Sequence, residues 1–308
     1  MIISYNLIII NYNKMILNRP ADHEVYEYLI KNYYKDFSIA EISKAVKKST
    51  PMVYKSIAFL KDRGIVEEHG TRYKVNLLNS HTLKYKYLYD YEKFMNLPKD
   101  YKNRITKMKQ RISVIFSNIK FSLIIFGSLA DGTFEDESDI DILLIPDNGQ
   151  LNGLDSRLPE GFHFLSKNSL GFTQEVANGD DIALSICRSH IIIEDTEKSF
   201  IYDLNENKNR VDTKIIEFRK REANNLKMEI VDAHQKNKKD EIAKKLMLEK
   251  LQKLIKIESR IICLENNIIP TSKIDSFEKA SKILKRDIKK EYKEIRLDNV
   301  LEKVKSYV

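Results

Sequence analysis

Residues 121–145 read FSLIIFGSLADGTFEDESDIDILLI, and this stretch predicts two buried strands at the centre of the fold. The apolar run 123–126 predicts a buried β-strand that stops at a Gly-Ser pair. Residues 139–145, which are apolar apart from two aspartates, predict a second buried strand. Because alternate residues of a strand face the same side, Asp139 and Asp141 should project together while the isoleucines beside them enter the core.

The two carboxylates and the Gly-Ser pair predict a site for a metal ion and a phosphate. Two neighbouring acids repel unless a cation lies between them. Oxygen ligands suit Mg²⁺ (or Mn²⁺), which shares its coordination shell with water and substrate phosphates. Gly127 lets the backbone approach a phosphate, and the Ser128 hydroxyl can bond its oxygens. We therefore predict Asp139 and Asp141 as metal ligands and catalytic residues, and Gly127 and Ser128 as nucleotide-binding residues.

These four residues match the G-S-x10-D-x-D signature, and the segment resembles the nucleotidyltransferase superfamily of DNA polymerase beta, particularly its small "minimal" members. The resemblance implies an NTP substrate, a hydroxyl acceptor on a protein, an RNA or a small molecule, and release of pyrophosphate. Two departures weaken the match. Leu129 and Asp131 stand at positions that are often basic in the family.

The resemblance also implies a third carboxylate near the next strand. That strand is predicted over 161–165 and contains no acid. Glu160, immediately before it, is the preferred third catalytic residue, and Asp155 is a weaker candidate. His163 lies within the strand and is either a substitute base or an ordinary surface or core histidine.

Residues 20–80 show a different pattern, three helices followed by a hairpin. Apolar residues at helical spacing predict the first helix. Ser38 and Glu41 form a capping box that opens a short second helix. The third helix is predicted to end at Gly64, and two alternating segments around 69–71 predict a β-hairpin.

This order resembles the winged helix-turn-helix of archaeal and bacterial transcription regulators. The resemblance implies a third helix in the major groove of DNA and a wing beside the phosphate backbone. The residues expected to face DNA are Lys47, Lys48, Ser49, Thr50, Met52, Tyr54, Lys55, Arg72 and Lys74. The alternative is a protein-interaction or dimerisation module, so a homodimer is left open.

Charge is distributed unevenly along the chain. Counting Lys and Arg against Asp and Glu, residues 1–120 carry 22 against 11, residues 121–206 carry 4 against 17, and residues 207–308 carry 27 against 17. The net charges are +11, −13 and +10, which agree with +8 for the whole chain. The basic flanks favour a polyanionic partner such as nucleic acid or nucleotide phosphates. For the last third, solvated lysine-rich helices are an equal alternative.

The predicted fold class is multidomain, α and α/β. It comprises an N-terminal winged helix, a central nucleotidyltransferase mixed sheet with helices, and a C-terminal α-helical bundle. The predicted divisions are an arm (1–19), the winged helix (20–80), linker helices (81–120), the nucleotidyltransferase domain (121–206) and the bundle (207–308). The Tyr- and Lys-rich linker either packs onto the next module or stacks on single-stranded nucleic acid.

Within the central domain, a helix is predicted over 172–186 and a strand over 190–193. Apolar stripes after residue 212 predict about four antiparallel helices. Such bundles follow nucleotidyltransferase domains in antibiotic nucleotidyltransferases and in relatives of the HEPN group, where they help to bind substrate. The bundle's His234 is too far from Arg221 for the HEPN ribonuclease motif, so no ribonuclease activity is predicted.

The remaining features indicate a cytoplasmic protein without a membrane partner. No apolar stretch is long enough to span a bilayer. Cys187 and Cys263 are predicted as buried free thiols. The first residues, MIISYNLIIINYNKM, lack the features of a signal peptide. They form a strand or an interaction arm, or they precede a natural start at Met15.

The first functional hypothesis is a Mg²⁺-dependent nucleotidyltransferase that moves an NMP from an NTP to a hydroxyl acceptor. Its winged helix would tether it to DNA or repress its own operon, as in fused toxin–antitoxin-like systems. The alternative is a DNA-binding transcriptional regulator whose non-catalytic nucleotidyltransferase fold senses a nucleotide.

Overall fold

The computed structural model describes residues 19–115, 120–135, 138–146, 161–206, 211–236, 241–297, 299–300 and 302. Over these residues the protein has thirteen helices, a four-stranded mixed sheet and a small antiparallel sheet. The predicted combination of α and α/β structure is confirmed at this level. No helix in this part of the chain is long and apolar enough to cross a membrane. Apart from Arg19, the predicted N-terminal arm lies outside the described residues.

The chain divides into two compact units, each built from several segments. The first unit comprises Met1–Ile125, Asp141–Thr173 and His190–Asn209. The second unit comprises Phe126–Ile140, Gln174–Ser189 and Arg210–Val308.

The first unit begins with three helices and a hairpin. Their bounds are α1 (Pro20–Lys31), α2 (Ile39–Val46), α3 (Thr50–Asp62), β1 (Val66–His69) and β2 (Arg72–Val75). The capping box is confirmed. The Ser38 hydroxyl accepts from the Glu41 N–H, and the Glu41 carboxylate accepts from the Ser38 N–H. The hairpin turns at Gly70, which has a φ of 64°, a backbone angle that glycine adopts without strain.

Two longer helices follow, α4 (Ser80–Met95) and α5 (Lys99–Ile115). Ile105, Met108 and Ile112 of α5 are buried, which confirms the predicted apolar face. In α4, Tyr85 and Lys86 are also buried. These two side chains are therefore packed into the protein and cannot stack on a nucleic acid.

The four-stranded sheet of the first unit has the order β5-β4-β3-β6. Its strands are β3 (Phe121–Phe126), β4 (Ile140–Pro146), β5 (Phe162–Ser166) and β6 (Ile191–Asp195). The inner strands β3 and β4 are buried almost throughout, which explains why their sequences are mostly apolar. The outer strand β6 pairs antiparallel with β3, with Ile125 opposite Ile191.

The helix predicted over 172–186 is wrong as a single element. The chain forms α7 (Ser169–Ala177) and then α8 (Asp181–Arg188). Gly179 adopts a left-handed φ of 72°, which ends the first helix. The Asp180 carboxylate then accepts hydrogen bonds from two N–H groups of the next turn and starts the second helix. A short helix, α9 (Ser199–Glu206), follows β6.

The second unit is dominated by helices. It contains the short α6 (Ser128–Asp131), followed by α10 (Thr213–Lys236), α11 (Glu241–Glu265), α12 (Lys273–Leu284) and α13 (Ile288–Glu294). Helices α10 to α13 share one apolar core. The predicted stripe from Phe277 to Ile288 spans two of these helices, because Lys285 takes a left-handed φ of 55° and Asp287 caps a new helix.

A buried carboxylate joins α8 to α10 and α11 within this unit. Asp181 is fully buried and accepts hydrogen bonds from the guanidinium groups of Arg219 and Arg260. Arg260 also donates to the Ser185 hydroxyl at 2.5 Å. Two arginines around one buried carboxylate compensate its charge, so this cluster fixes how the three helices pack. Both cysteines are buried and free, as predicted.

Asp203 of α9 gives the first testable prediction. Its side chain is 4% exposed, and its Oδ2 has no hydrogen-bond partner among the described residues. Desolvation raises the pKa of Asp203 to about 6. Since the folded protein favours the neutral acid, stability falls as the pH rises from about 4, where the unfolded chain ionises, to about 6, and the loss is complete above that pH. We expect Asp203→Asn to raise the unfolding free energy at pH 7.5 by about 1–3 kcal/mol, and by less as the pH falls toward 4.

Urea unfolding across this pH range measures the effect. Asp62→Asn is the control, because Asp62 is exposed at the end of α3. An Asp203→Asn effect that is the same at every pH would contradict the assignment of burial as its cause.

Candidate active site

The Gly-Ser pair lies in a tight turn directly after β3. Gly127 has φ 71° and ψ −150°, a region that residues with a Cβ avoid. Ser128 begins the four-residue α6, which ends at Gly132 with a left-handed φ of 80°. The Ser128 carbonyl accepts a hydrogen bond from the N–H of Thr133 at 3.0 Å. The backbone angles therefore account for glycine at the position where the sequence predicts a close approach of phosphate.

The two predicted metal ligands flank the first residue of β4. Asp139 is exposed immediately before the strand, and the side chain of Asp141 is 31% exposed within it. Ile140 and Ile142 are fully buried, as the predicted alternation requires. Both carboxylates thus stay accessible at the start of a buried strand.

His163 lies beside one of these carboxylates in the first unit. Strand β5 is the neighbour of β4 in the sheet, which carries His163 next to Asp141. The two side chains approach to 3.4 Å between Nδ1 and Oδ1, and the imidazole is 70% exposed. A buried core position is therefore excluded for His163, which leaves a substitute base or an ordinary surface histidine as the two alternatives.

Two carboxylates are a suitable partial ligand set for Mg²⁺, since this ion keeps several waters and shares substrate phosphates. Among the described residues, no group of three His, Cys, Asp or Glu side chains is placed to hold a metal ion. Glu160 and Asp155, the predicted third acids, lie outside the described residues. The Mg²⁺ assignment therefore depends on Asp139 and Asp141.

Asp131 has a local role that the sequence did not indicate. Its Oδ1 accepts from the N–H of Thr133 at 3.0 Å and from the hydroxyl at 2.6 Å. Its Oδ2 accepts from the hydroxyl of Thr271 at 2.9 Å. Thr271 precedes α12 and also donates to Asp275. An acid at this position connects the turn after β3 to the start of α12, which a basic residue would not do.

Glu135 makes a second connection to the helices of this unit. Its Oε1 lies 2.9 Å from Nζ of Lys293 and 3.2 Å from Nζ of Lys289, both on α13. Hydrogen bonds from these two lysines lower the pKa of Glu135. The segment that separates Ser128 from Asp139 is thus held to the C-terminal helices by ion pairs. In the sequence, the repeated basic residues along 285–296 indicate a cationic helix face but do not identify Glu135 as its partner.

The residues predicted to face DNA mostly lie on the surface of α3 and the turn before it. Met52 and Tyr54 are 44% and 61% exposed. Lys48 is partly buried and pairs with Glu24 at 3.1 Å. The remaining exposed members of this surface are Lys47, Ser49, Thr50 and Lys55.

The two predicted wing residues differ from each other. Arg72 is exposed, pairs with Glu41 at 2.8 Å and donates to the carbonyl of Asp36. Lys74 is 5% exposed, and its ammonium donates to the carbonyl of Asn205 at 2.6 Å. Because that hydrogen bond occupies a buried ammonium group, we leave Lys74 out of the candidate DNA surface.

The chemistry of these residues is the basis for assigning a function. No protein-family model matches the chain, and no curated protein matches it as a relative.

Proposed function

We propose that this protein is a Mg²⁺-dependent nucleotidyltransferase that transfers an NMP from an NTP to a hydroxyl acceptor. The observation that supports it best is the pairing of a glycine-specific turn after β3 with two accessible carboxylates at the start of β4. The strands that carry them belong to one sheet. Phosphate and metal chemistry require these two groups of ligands near each other.

Each residue has a distinct role in the proposed reaction. Asp139 and Asp141 would hold Mg²⁺, which would neutralise charge on the phosphates when it is bound. Gly127 admits a phosphate close to the backbone, and the Ser128 hydroxyl donates to a phosphate oxygen. The acceptor oxygen forms a bond to the α-phosphorus, the bond from the α-phosphorus to the bridging oxygen breaks, and pyrophosphate leaves. We assign His163, whose Nδ1 lies 3.4 Å from Oδ1 of Asp141, as the base that accepts the proton from the acceptor hydroxyl.

The proposal includes the finer domain layout. Residues 20–80 form a DNA-binding winged helix, residues 121–206 supply the nucleotidyltransferase sheet, and residues 207–308 form a helical bundle that helps to bind substrate. Three helices followed by an antiparallel hairpin support the first assignment. The shared apolar core of α10 to α13 supports the last.

The test is incubation of the full chain with each α-³²P-labelled NTP and Mg²⁺, with and without cell extract, beside an EDTA control. We expect label to appear on an acceptor with a preferred NTP, and to be absent with EDTA. Nucleotide binding without any transfer would instead favour the regulator, in which the same fold only senses a nucleotide.

The proposed DNA surface gives a second prediction. We expect Tyr54→Ala/Lys55→Ala to weaken binding to duplex DNA, because both side chains are exposed on α3, and to leave NMP transfer unchanged. Loss of one phosphate contact and one apolar contact corresponds to about 10-fold or more in affinity. Fluorescence anisotropy with a labelled random duplex measures it.

Lys84→Ala/Tyr91→Ala is the matched control. It also removes one lysine and one tyrosine, both exposed on α4, and neither belongs to the predicted DNA-facing set. Equal weakening by both pairs of substitutions would reject α3 as the DNA-contacting helix.

A further inference from the structure

The surface of α13 contains a basic pocket. The pocket has a volume of about 650 Å³, within the range of ligand-binding sites. Its cationic lining residues are Lys289, Lys290, Lys293 and Arg296. Its other lining residues are Asp287, Glu294 and Asn299. None of the lining residues that the structure describes is aromatic or apolar, so this lining offers charge and hydrogen bonds rather than a stacking surface.

The two acids of the pocket are engaged by the helix itself. The Asp287 carboxylate caps α13 by accepting from the N–H of Lys290 at 2.9 Å. Glu294 lies 3.8 Å from the ammonium of Lys290, and its carbonyl accepts from the side chain of Asn299. The four cations of the pocket therefore outnumber its two acids, and the charge of Asp287 is directed at the N-terminus of α13.

The ion pairs that occupy the lysines are exposed and exchangeable. Lys290 and Lys293 are 70% and 57% exposed, and Glu135, which pairs with Lys293, is 48% exposed. Exposed pairs contribute little to stability, because water competes for both partners. A phosphate can therefore replace a carboxylate on these ammonium groups at small cost.

The extent of the basic surface indicates a ligand with several phosphates. Exposed Lys282, Lys285 and Arg286 precede the pocket in the chain, at the end of α12 and in the turn after it. Together with the pocket they make seven cations within 282–296, against three acids. A triphosphate can contact two or three of these cations, whereas a nucleic-acid strand provides a row of phosphates that can contact all of them. The described lining residues are charged or polar, which suits recognition of the backbone of such a strand rather than its bases.

We propose that the α13 pocket binds the phosphodiester backbone of single-stranded RNA without regard to its sequence. Single-stranded RNA offers both the repeated phosphates that suit this pocket and free 2′- and 3′-hydroxyls. The identification of RNA as the hydroxyl acceptor rests on the proposed nucleotidyltransferase function. Binding of RNA to the pocket can be measured whether or not the protein transfers NMP.

The test uses the full chain, EDTA, and fluorescein-labelled 12-nucleotide U and A oligoribonucleotides in anisotropy titrations between 50 and 200 mM salt. Each phosphate contact on a single strand contributes about −0.7 to the slope of log affinity against log salt. We expect Lys290→Gln/Arg296→Gln to weaken binding of both RNAs. The slope should become shallower by about 1.4, since two contacts are removed.

The matched control is Lys245→Gln/Arg221→Gln, which removes the same charge from exposed positions of α11 and α10 outside both the pocket and residues 282–296. It should leave the slope unchanged. Equal effects of the two double substitutions would overturn the proposal, because they would reflect net charge alone. Weaker ATP binding with unchanged RNA binding would also overturn it and assign the pocket to the nucleotide triphosphate.

Two outcomes separate this inference from the proposed function. If the pocket variant lowers the RNA slope and wild type transfers no label from any NTP, the RNA site stands and the enzyme fails. If wild type labels an acceptor but the pocket variant binds RNA as wild type does, the enzyme stands and the RNA site fails. Asp139→Asn/Asp141→Asn should bind RNA normally in EDTA, because it leaves the pocket intact.

Discussion

Replacing Asp139 and Asp141 together with Asn is expected to reduce NMP transfer on the order of 10³-fold. Asn keeps the size of each side chain but removes the two charges that hold Mg²⁺. A bound metal stabilises developing charge in the transition state by several kcal/mol, and each 1.36 kcal/mol corresponds to tenfold in rate. Both side chains are accessible at the start of β4, so the fold should persist. Initial rates with the preferred α-³²P-NTP measure the loss.

Glu278→Gln is the control for this prediction, because it removes one acid from an exposed position on α12. It should transfer label at the wild-type rate. His163→Gln tests the proposed base separately, since it should lower the rate of NMP transfer. Full transfer by the double Asn variant, with unchanged thermal unfolding, would rule out these carboxylates as the metal site.

Replacing Asp90 with Ala is expected to destabilise the first unit by about 3–5 kcal/mol. Asp90 and Lys86 of α4 are 0% and 1% exposed. Lys86 Nζ lies 2.6 Å and 2.5 Å from the two carboxylate oxygens. Burial lowers the pKa of Lys86, while the charge of Asp90 opposes that shift. Removing the carboxylate leaves a buried ammonium group without its counter-ion, which is why the expected loss is large.

The same carboxylate also joins α4 to β6. It accepts from the N–H of Ile192 at 3.1 Å and lies 3.8 Å from Nε2 of His190. His190 Nδ1 in turn lies 3.1 Å from the hydroxyl of Tyr33. The Asp90 substitution therefore removes the connection between α4 and β6 as well as one ion pair.

Urea unfolding measures the effect of Asp90→Ala, and the exposed pair Glu27–Lys31 supplies the control. It has the same i,i+4 spacing on α1, with side chains 36% and 46% exposed. Glu27→Ala should cost no more than about 0.5 kcal/mol. The double substitution Lys86→Met/Asp90→Leu should recover most of the loss, because it removes both buried charges. A small effect of Asp90→Ala would show that Lys86 is accessible to water.

The sequence determined the features that depend on neighbouring residues. The mostly apolar runs predicted the inner strands β3 and β4, and Ser38 with Glu41 predicted the start of α2. The spacing of Gly127, Ser128 and the two aspartates supplied the candidate site. The single helix predicted over 172–186 was wrong, because the left-handed Gly179 and the capping Asp180 outweigh the apolar periodicity.

Tertiary structure alone decided which polar residues are buried and which distant side chains meet. By sequence, Lys86–Asp90 and Glu27–Lys31 are the same kind of i,i+4 pair, yet only the first is buried. His163 reaches Asp141 because β5 pairs beside β4. Glu135 meets Lys289 and Lys293 more than 150 residues later in the chain. Such contacts depend on the free energy with which whole elements pack together. The local periodicity of the sequence carries no information about that packing.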